Sequence, residues 1–364
     1  MQPRDPFIPG LALSELFYNE AVKPILAARF PHLVYSAAHI GPGSDVLGFD
    51  TVRSTDHGWG PKLTLFVPDA VGEQSRARIG AVLSEALPYE IHGYPTHFAS
   101  PTVDGGRLER ISSGPISHGV RIWTIRAFFD EQLGIDPYQE MAPVDWLVLP
   151  QQRLRSVTAG KVFHDGLQAL EPLRRKLRYY PRDVWLYMLA VQWRRISQEE
   201  PFMARCGDAG DEVGSRIIAA RLIHDLMQLC FLLEQTYAPY SKWFGTAFER
   251  LRCAAQLTPI FQAIMQSATW QERQDHFSRA YEAVALLHNA LAITPPLATQ
   301  VSPFYTRPYL VIHGERFAEA IREAIESPAV RALSPHIGSI DQFVDATDVL
   351  AYTRPSALLK ALYQ

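Results

Sequence analysis

Residues 41–66 hold the densest run of side chains able to do chemistry: Gly-Pro-Gly-Ser-Asp-Val-Leu-Gly-Phe-Asp, then Thr-Val-Arg-Ser-Thr-Asp-His-Gly-Trp-Gly-Pro, then Lys-Leu-Thr-Leu-Phe. A glycine-rich turn lets backbone amides come close to an anion. A Gly43-Ser44 step opening a short helix adds a hydroxyl and the positive helix end. Asp56 follows Ser44 after eleven intervening residues, just before a strand-like alternation at Lys62–Val67. The same residues also have an ordinary reading, because turns recruit Gly, Ser and Asp for local hydrogen bonds.

Further along, Tyr237-Ala-Pro-Tyr-Ser-Lys-Trp243 puts Ser241 and Lys242 at a helix start beside aromatic rings. A lysine there can neutralise phosphate charge or simply be a surface cation. Glu199, Glu200, Asp208, Asp211 and Glu212 flank the break at Gly207–Gly210, where acids serve as metal ligands, as a general base or, more ordinarily, as helix caps. His164-Asp165 offers an acid–base pair or a structural one. The chain lacks a Walker-type Gly-Lys-Ser/Thr loop, a Gly-x-Ser-x-Gly elbow and a His-Glu-x-x-His helix. Cys206, Cys230 and Cys253 lie too far apart for a zinc-ligand pattern.

The string from Gly43-Ser44 to Asp56-His57 resembles the nucleotidyltransferase superfamily of DNA polymerase beta. In that superfamily a Gly-Ser pair precedes an Asp-x-Asp or Asp-x-Glu pair at a strand start. With Tyr179-Tyr180-Pro181, Gly210-Asp211-Glu212, Tyr237–Phe248 and Asp341-Gln342-Phe343, it is similar to an uncharacterised bacterial domain-of-unknown-function branch. The resemblance implies a Mg²⁺-NTP site, with Gly43 and Ser44 on the phosphates and Asp56 on metal. It also implies that Ser241 and Lys242 reach the triphosphate, and that a nucleotidyl group passes to a hydroxyl-bearing small molecule. Gly58 occupies the second carboxylate position, and Val120–Ile125 supplies no third. Asp45 and Asp50 are the nearest substitutes. Two alternatives stay open: a catalytically degenerate nucleotide- or partner-binding module, and nucleotidylation of a protein of the toxin–antitoxin kind.

Positioning these groups requires short strands at 32–35, 62–67, 89–92 and 120–125, with helices at 11–30 and 73–87. Residues 100–115, rich in Gly, Ser and Pro, read as a loop. Beyond Pro143 the apolar spacing is helical, with helices expected at 183–205, 211–237, 242–256 and 270–292. The expected fold class is α+β: a small mixed-sheet nucleotidyltransferase-like domain over 1–140, then a larger all-helical domain over 141–364. Hydrophobic residues at 47% and charged residues at 20% call for a packed core. A net charge of −3 disfavours long nucleic acid and anionic membrane as partners. With early charges at Arg4, Asp5, Glu15, Glu20 and Lys23, no leader-type apolar core is expected, and no run reaches membrane length. With three scattered cysteines, the expected location is cytoplasmic.

Overall fold

The computed structural model describes residues 7–99, 106–352 and 357–363, so the first part of the loop expected at 100–115 lies outside the described residues. The chain forms two compact units, one from residues within 1–140 and 153–178, the other from 141–152 and 179–364.

The first unit is built on a four-stranded mixed sheet: β1 (Ser36–His39), β2 (Lys62–Phe66), β3 (Gly119–Trp123) and β4 (Lys161–Asp165), in the order β3-β2-β1-β4. β1 runs antiparallel to β2 and β4, while β2 and β3 are parallel. The parallel pair needs a crossover, and α2 (Glu73–Ala86) lies within it. The N-terminal helix α1 (Gly10–Phe17) continues through one π turn at Tyr18–Val22 into Lys23–Arg29. Its Leu13, Phe17, Val22 and Leu26 join Ile79 and Leu83 of α2 in one core, which also takes Leu63, Leu65 and Val120. Period-2 alternation therefore sends Lys62, Thr64 and Phe66 to the opposite face of β2. There Phe66 packs edge-on against Phe128 of α3 (Ile125–Leu133), ring centroids 5.2 Å apart.

The alternation Lys-Leu-Thr-Leu-Phe marks β2 where expected, whereas β1 falls at 36–39 rather than 32–35. Ser-Ala-Ala-His lacks β-branched residues, yet small side chains fit a strand buried between two partners. β4 comes from the stretch expected to be helical. It is joined to β1 by Ser36 Oγ, which donates to Asp165 Oδ1 at 2.7 Å. That bond, together with the Glu171 N–H at 3.0 Å, gives Asp165 a structural task.

The second unit is helical: α4 (Arg182–Glu199), α5 (Phe202–Asp208), α6 (Glu212–Leu233), α7 (Ser241–Phe248), α8 (Ala254–Gln266), α9 (Trp270–Ala290) and α10 (Gly314–Glu323). Pro201 divides the helix expected at 183–205, since proline cannot extend the preceding hydrogen-bond ladder. The helix expected at 242–256 is likewise two, α7 and the start of α8. Trp193 and Phe317 stack at 4.2 Å in the centre of this unit. The acids around the Gly207–Gly210 break act as caps and clasps. Asp211 accepts the Gly214 N–H at 2.8 Å, and Asp208 accepts the Tyr309 hydroxyl at 2.9 Å. Glu200 accepts the Ile312, His313 and Gly314 N–H groups at the start of α10. No described helix is long and apolar enough to cross a membrane.

Candidate functional site

The Gly-Ser turn leaves β1 and closes on itself. Phe49 N donates to Ser44 O at 2.8 Å, and Gly41 N ties the turn to Ser156 O at 2.9 Å. The fold-back buries Asp45, whose Oδ2 accepts from His39 Nε2 at 2.8 Å and from Lys62 Nζ at 3.1 Å. Burial alone would raise the Asp45 carboxyl, but the His39 hydrogen bond and the Lys62 charge hold it well below the usual carboxylate range. Because that carboxylate is ionised, His39 Nε2 carries the shared proton. Gly43 has φ +152°, and a Cβ there would collide with Asp45 Oδ1. The anion packed against Gly43 is thus the chain's own.

The other carboxylates of the segment do not converge on it. Asp50 Oδ2 accepts the Gly10 N–H at 2.6 Å and the Trp59 indole N–H at 2.9 Å, tying the start of α1 to the turn. Asp56 ends a 3₁₀ turn (Val52–Asp56) capped by Thr51, upstream of β2 rather than on it. Its side chain is 62% exposed, and its side-chain partner is His57 Nδ1 at 3.0 Å. Gly58 has φ +60°, a left-handed conformation that favours glycine, and its carbonyl accepts from Lys62 Nζ. Thus Asp45 and Asp50, the nearest substitutes for the missing carboxylate, are already engaged.

What the sheet presents instead is cationic. Lys62 and Thr64 share one face of β2. In the parallel register Gly119 lies beside Lys62, and Arg121 lies beside Thr64. Glycine at 119 is required, because a Cβ would stand 2.7 Å from Lys62 Cβ and 2.8 Å from Pro61 O. These residues, with His39 and Pro42, line a cleft enclosing about 50 Å³. That volume takes a phosphate-sized group while leaving the rest of a nucleotide outside. Thr64 is buried and Arg121 is exposed. Among the described residues the Arg121 guanidinium has no ion-pair or hydrogen-bond partner.

A resident Mg²⁺ needs near-octahedral oxygen ligands, commonly one or two carboxylates completed by phosphates and water. Among the described residues no three His, Cys, Asp or Glu side chains group closely enough to hold a metal. Asp56 stands apart with His57, and Asp45 is neutralised by Lys62, so the residues present do not fit such an ion. Ser241 and Lys242, the first residues of α7, belong to the second unit and are exposed. Lys242 Nζ lies 5.1 Å from the centre of the Trp243 ring. His39, Lys62, Thr64 and Arg121 were not singled out from sequence. The available signal was the alternation of Lys62 and Thr64 on an evident strand.

Residues 146–244 match the model of a domain of unknown function (DUF4037), a stretch that takes in Tyr179-Tyr180-Pro181 and Gly210-Asp211-Glu212. Among solved structures, the chain is similar to a nucleotidyltransferase-like protein from Exiguobacterium sibiricum 255-15. The likeness covers 75% of each chain at 10% identity, with a TM-score of 0.31. Among curated proteins no sequence matches.

Proposed function

We propose that the first unit is a nucleotidyltransferase-like module that binds nucleotide phosphate through fixed cations rather than through carboxylate-held metal. One observation carries this reading: Lys62 and Thr64 on β2 and Arg121 on β3 line one cleft. On these strands the Gly-Ser resemblance would place acids. A guanidinium offers paired N–H donors that fit phosphate oxygens, and an ammonium adds a compact charge. Thr64 contributes a hydroxyl, and Pro42, just before the Gly43-Ser44 turn, also lines the cleft. Asp45 and the Gly58 carbonyl hold Lys62 in place before any ligand arrives, and because Asp45 also compensates the Lys62 charge, the uncompensated positive charge of the cleft is that of Arg121. On this reading Asp56 and Lys242 are dispensable for phosphate binding, and no transfer step to an acceptor is assigned.

Calorimetry with ATP, GTP, CTP and UTP, run in EDTA and again in Mg²⁺, tests the proposal. Saturable binding in EDTA that survives Asp56→Ala supports it. Binding that appears only with Mg²⁺, or Mg²⁺-dependent pyrophosphate release abolished by Asp56→Ala, replaces it with the transfer reading.

A further inference from the structure

In the helical unit, α4 and α10 pack side by side. Their outer faces, with residues 325–335, enclose two adjoining cavities of about 350 and 300 Å³. The two meet at Tyr187, Arg322 and Glu323, which line both. Tyr187 is a fixed floor: it is buried, its hydroxyl donates to Ser334 O at 2.7 Å, and it accepts the Gly338 N–H at 3.1 Å. Around it stand three guanidiniums, Arg194, Arg322 and Arg331, and two carboxylates, Glu319 and Glu323. Glu319 and Arg322 are three residues apart on one helix, a spacing at which opposite charges pair. Among the described residues neither side chain has an ion-pair partner, and the same holds for Glu323. Arg194 Nε is buried without a hydrogen-bond partner, and its nearest carboxylate, Glu315, is 3.7 Å away.

We infer that this groove binds a small zwitterion carrying more carboxylate than ammonium charge, an acidic amino acid or an acidic dipeptide. Among the lining residues guanidiniums outnumber carboxylates three to two, and Glu315, outside the lining, meets Arg194 alone. Guanidinium forks take carboxylates two bonds at a time, and Glu319 and Glu323 take the ammonium. A simple polyanion would meet those two acids, and a polycation would meet the three arginines. Ala190, Val191 and Ala318 supply the apolar wall that ligand sites of this size carry. The inference is independent of the phosphate cleft, and no contact between the two sites is needed.

The test is isothermal calorimetry of the full chain with L-glutamyl-L-glutamate, L-glutamate, glutarate (which lacks the ammonium) and L-lysine. The expected result is saturable binding of the dipeptide, at least about tenfold tighter than glutarate, which is what one charge-assisted hydrogen bond is worth. Arg322→Ala weakens it by at least about the same factor. In Glu319→Gln/Glu323→Gln the preference over glutarate disappears. All three positions are outside the packed core, and circular dichroism checks that each variant folds. The inference is overturned if no probe saturates, if glutarate matches the dipeptide, or if Arg322→Ala binds as the wild type does.

Discussion

Replacing Asp45 by Asn keeps the shape of a side chain that is 2% exposed and removes its charge. His39 and Lys62 then face an amide. Breaking a buried ion pair by neutralising one partner costs about 3–5 kcal/mol when the survivor is sealed from water. Lys62 is 22% exposed and keeps its bond to the Gly58 carbonyl, and Asn can still accept one hydrogen bond. The expected loss is therefore smaller, about 2–3 kcal/mol at neutral pH. The carboxyl is held low in the folded chain, so its contribution is present above the unfolded value of about 3.9 and is lost as pH falls towards the folded one. The gap between wild type and Asp45→Asn should accordingly narrow from pH 7 to pH 3. Urea unfolding at both pH values measures it, and hydrogen exchange over residues 36–66 localises the effect to the first unit. Equal stability at pH 7, or an undiminished gap at pH 3, would refute the clasp described here.

Three further outcomes follow from the packing. Asp56→Ala removes an exposed side chain paired with His57, so thermal unfolding should place it within about 0.5 kcal/mol of wild type. Burial pushes the Glu200 carboxyl up to about 7 despite three backbone N–H donors, so the folded chain keeps a proton that the unfolded chain releases. Through Glu200 alone, stability should then fall by about 3 kcal/mol as pH rises from about 4.5 to 7. Glu200→Gln should flatten that slope in urea titrations without abolishing it, because Asp341 is also pushed up to about 7 by burial. Gly207→Ala drives a methyl into Trp270, where the nearest atom is the Trp270 Cβ. A loss of about 1–3 kcal/mol in chemical denaturation is expected, and an unchanged midpoint would mean that α5 and α9 pack less tightly than described.

Much of this architecture could be read from sequence where a single period rules. β2 and α2 announce themselves because Leu63, Leu65, Ile79 and Leu83 recur at strand or helix spacing against one core. β1 and β4 do not, because a Ser-Ala-Ala-His strand between two neighbours carries no propensity signal. β4 also pairs with β1 across more than a hundred residues of chain. In the candidate site, the turn at Gly43-Ser44 was legible as a close backbone approach. What approaches it, the Asp45 carboxylate, was not, because burial of that side chain depends on His39 and Lys62 converging in space. Positions 56 and 58, where the motif puts its carboxylates, lie upstream of the strand. The side chains that share its open face lie at 62 and 64, and their neighbour on β3 is set by a parallel register that no local pattern encodes.

Charge reversal at Arg121 tests the phosphate cleft most directly, because its exposed guanidinium has no partner among the described residues to lose. ATP titrated in EDTA against wild type, Arg121→Ala and Arg121→Glu, followed by calorimetry and phosphorus NMR, should give binding to wild type. Binding should weaken by at least about tenfold in the alanine variant and further in the glutamate variant. Absence of ATP binding to the wild type in EDTA, or equal affinity across the three proteins, would contradict a cation-lined nucleotide site.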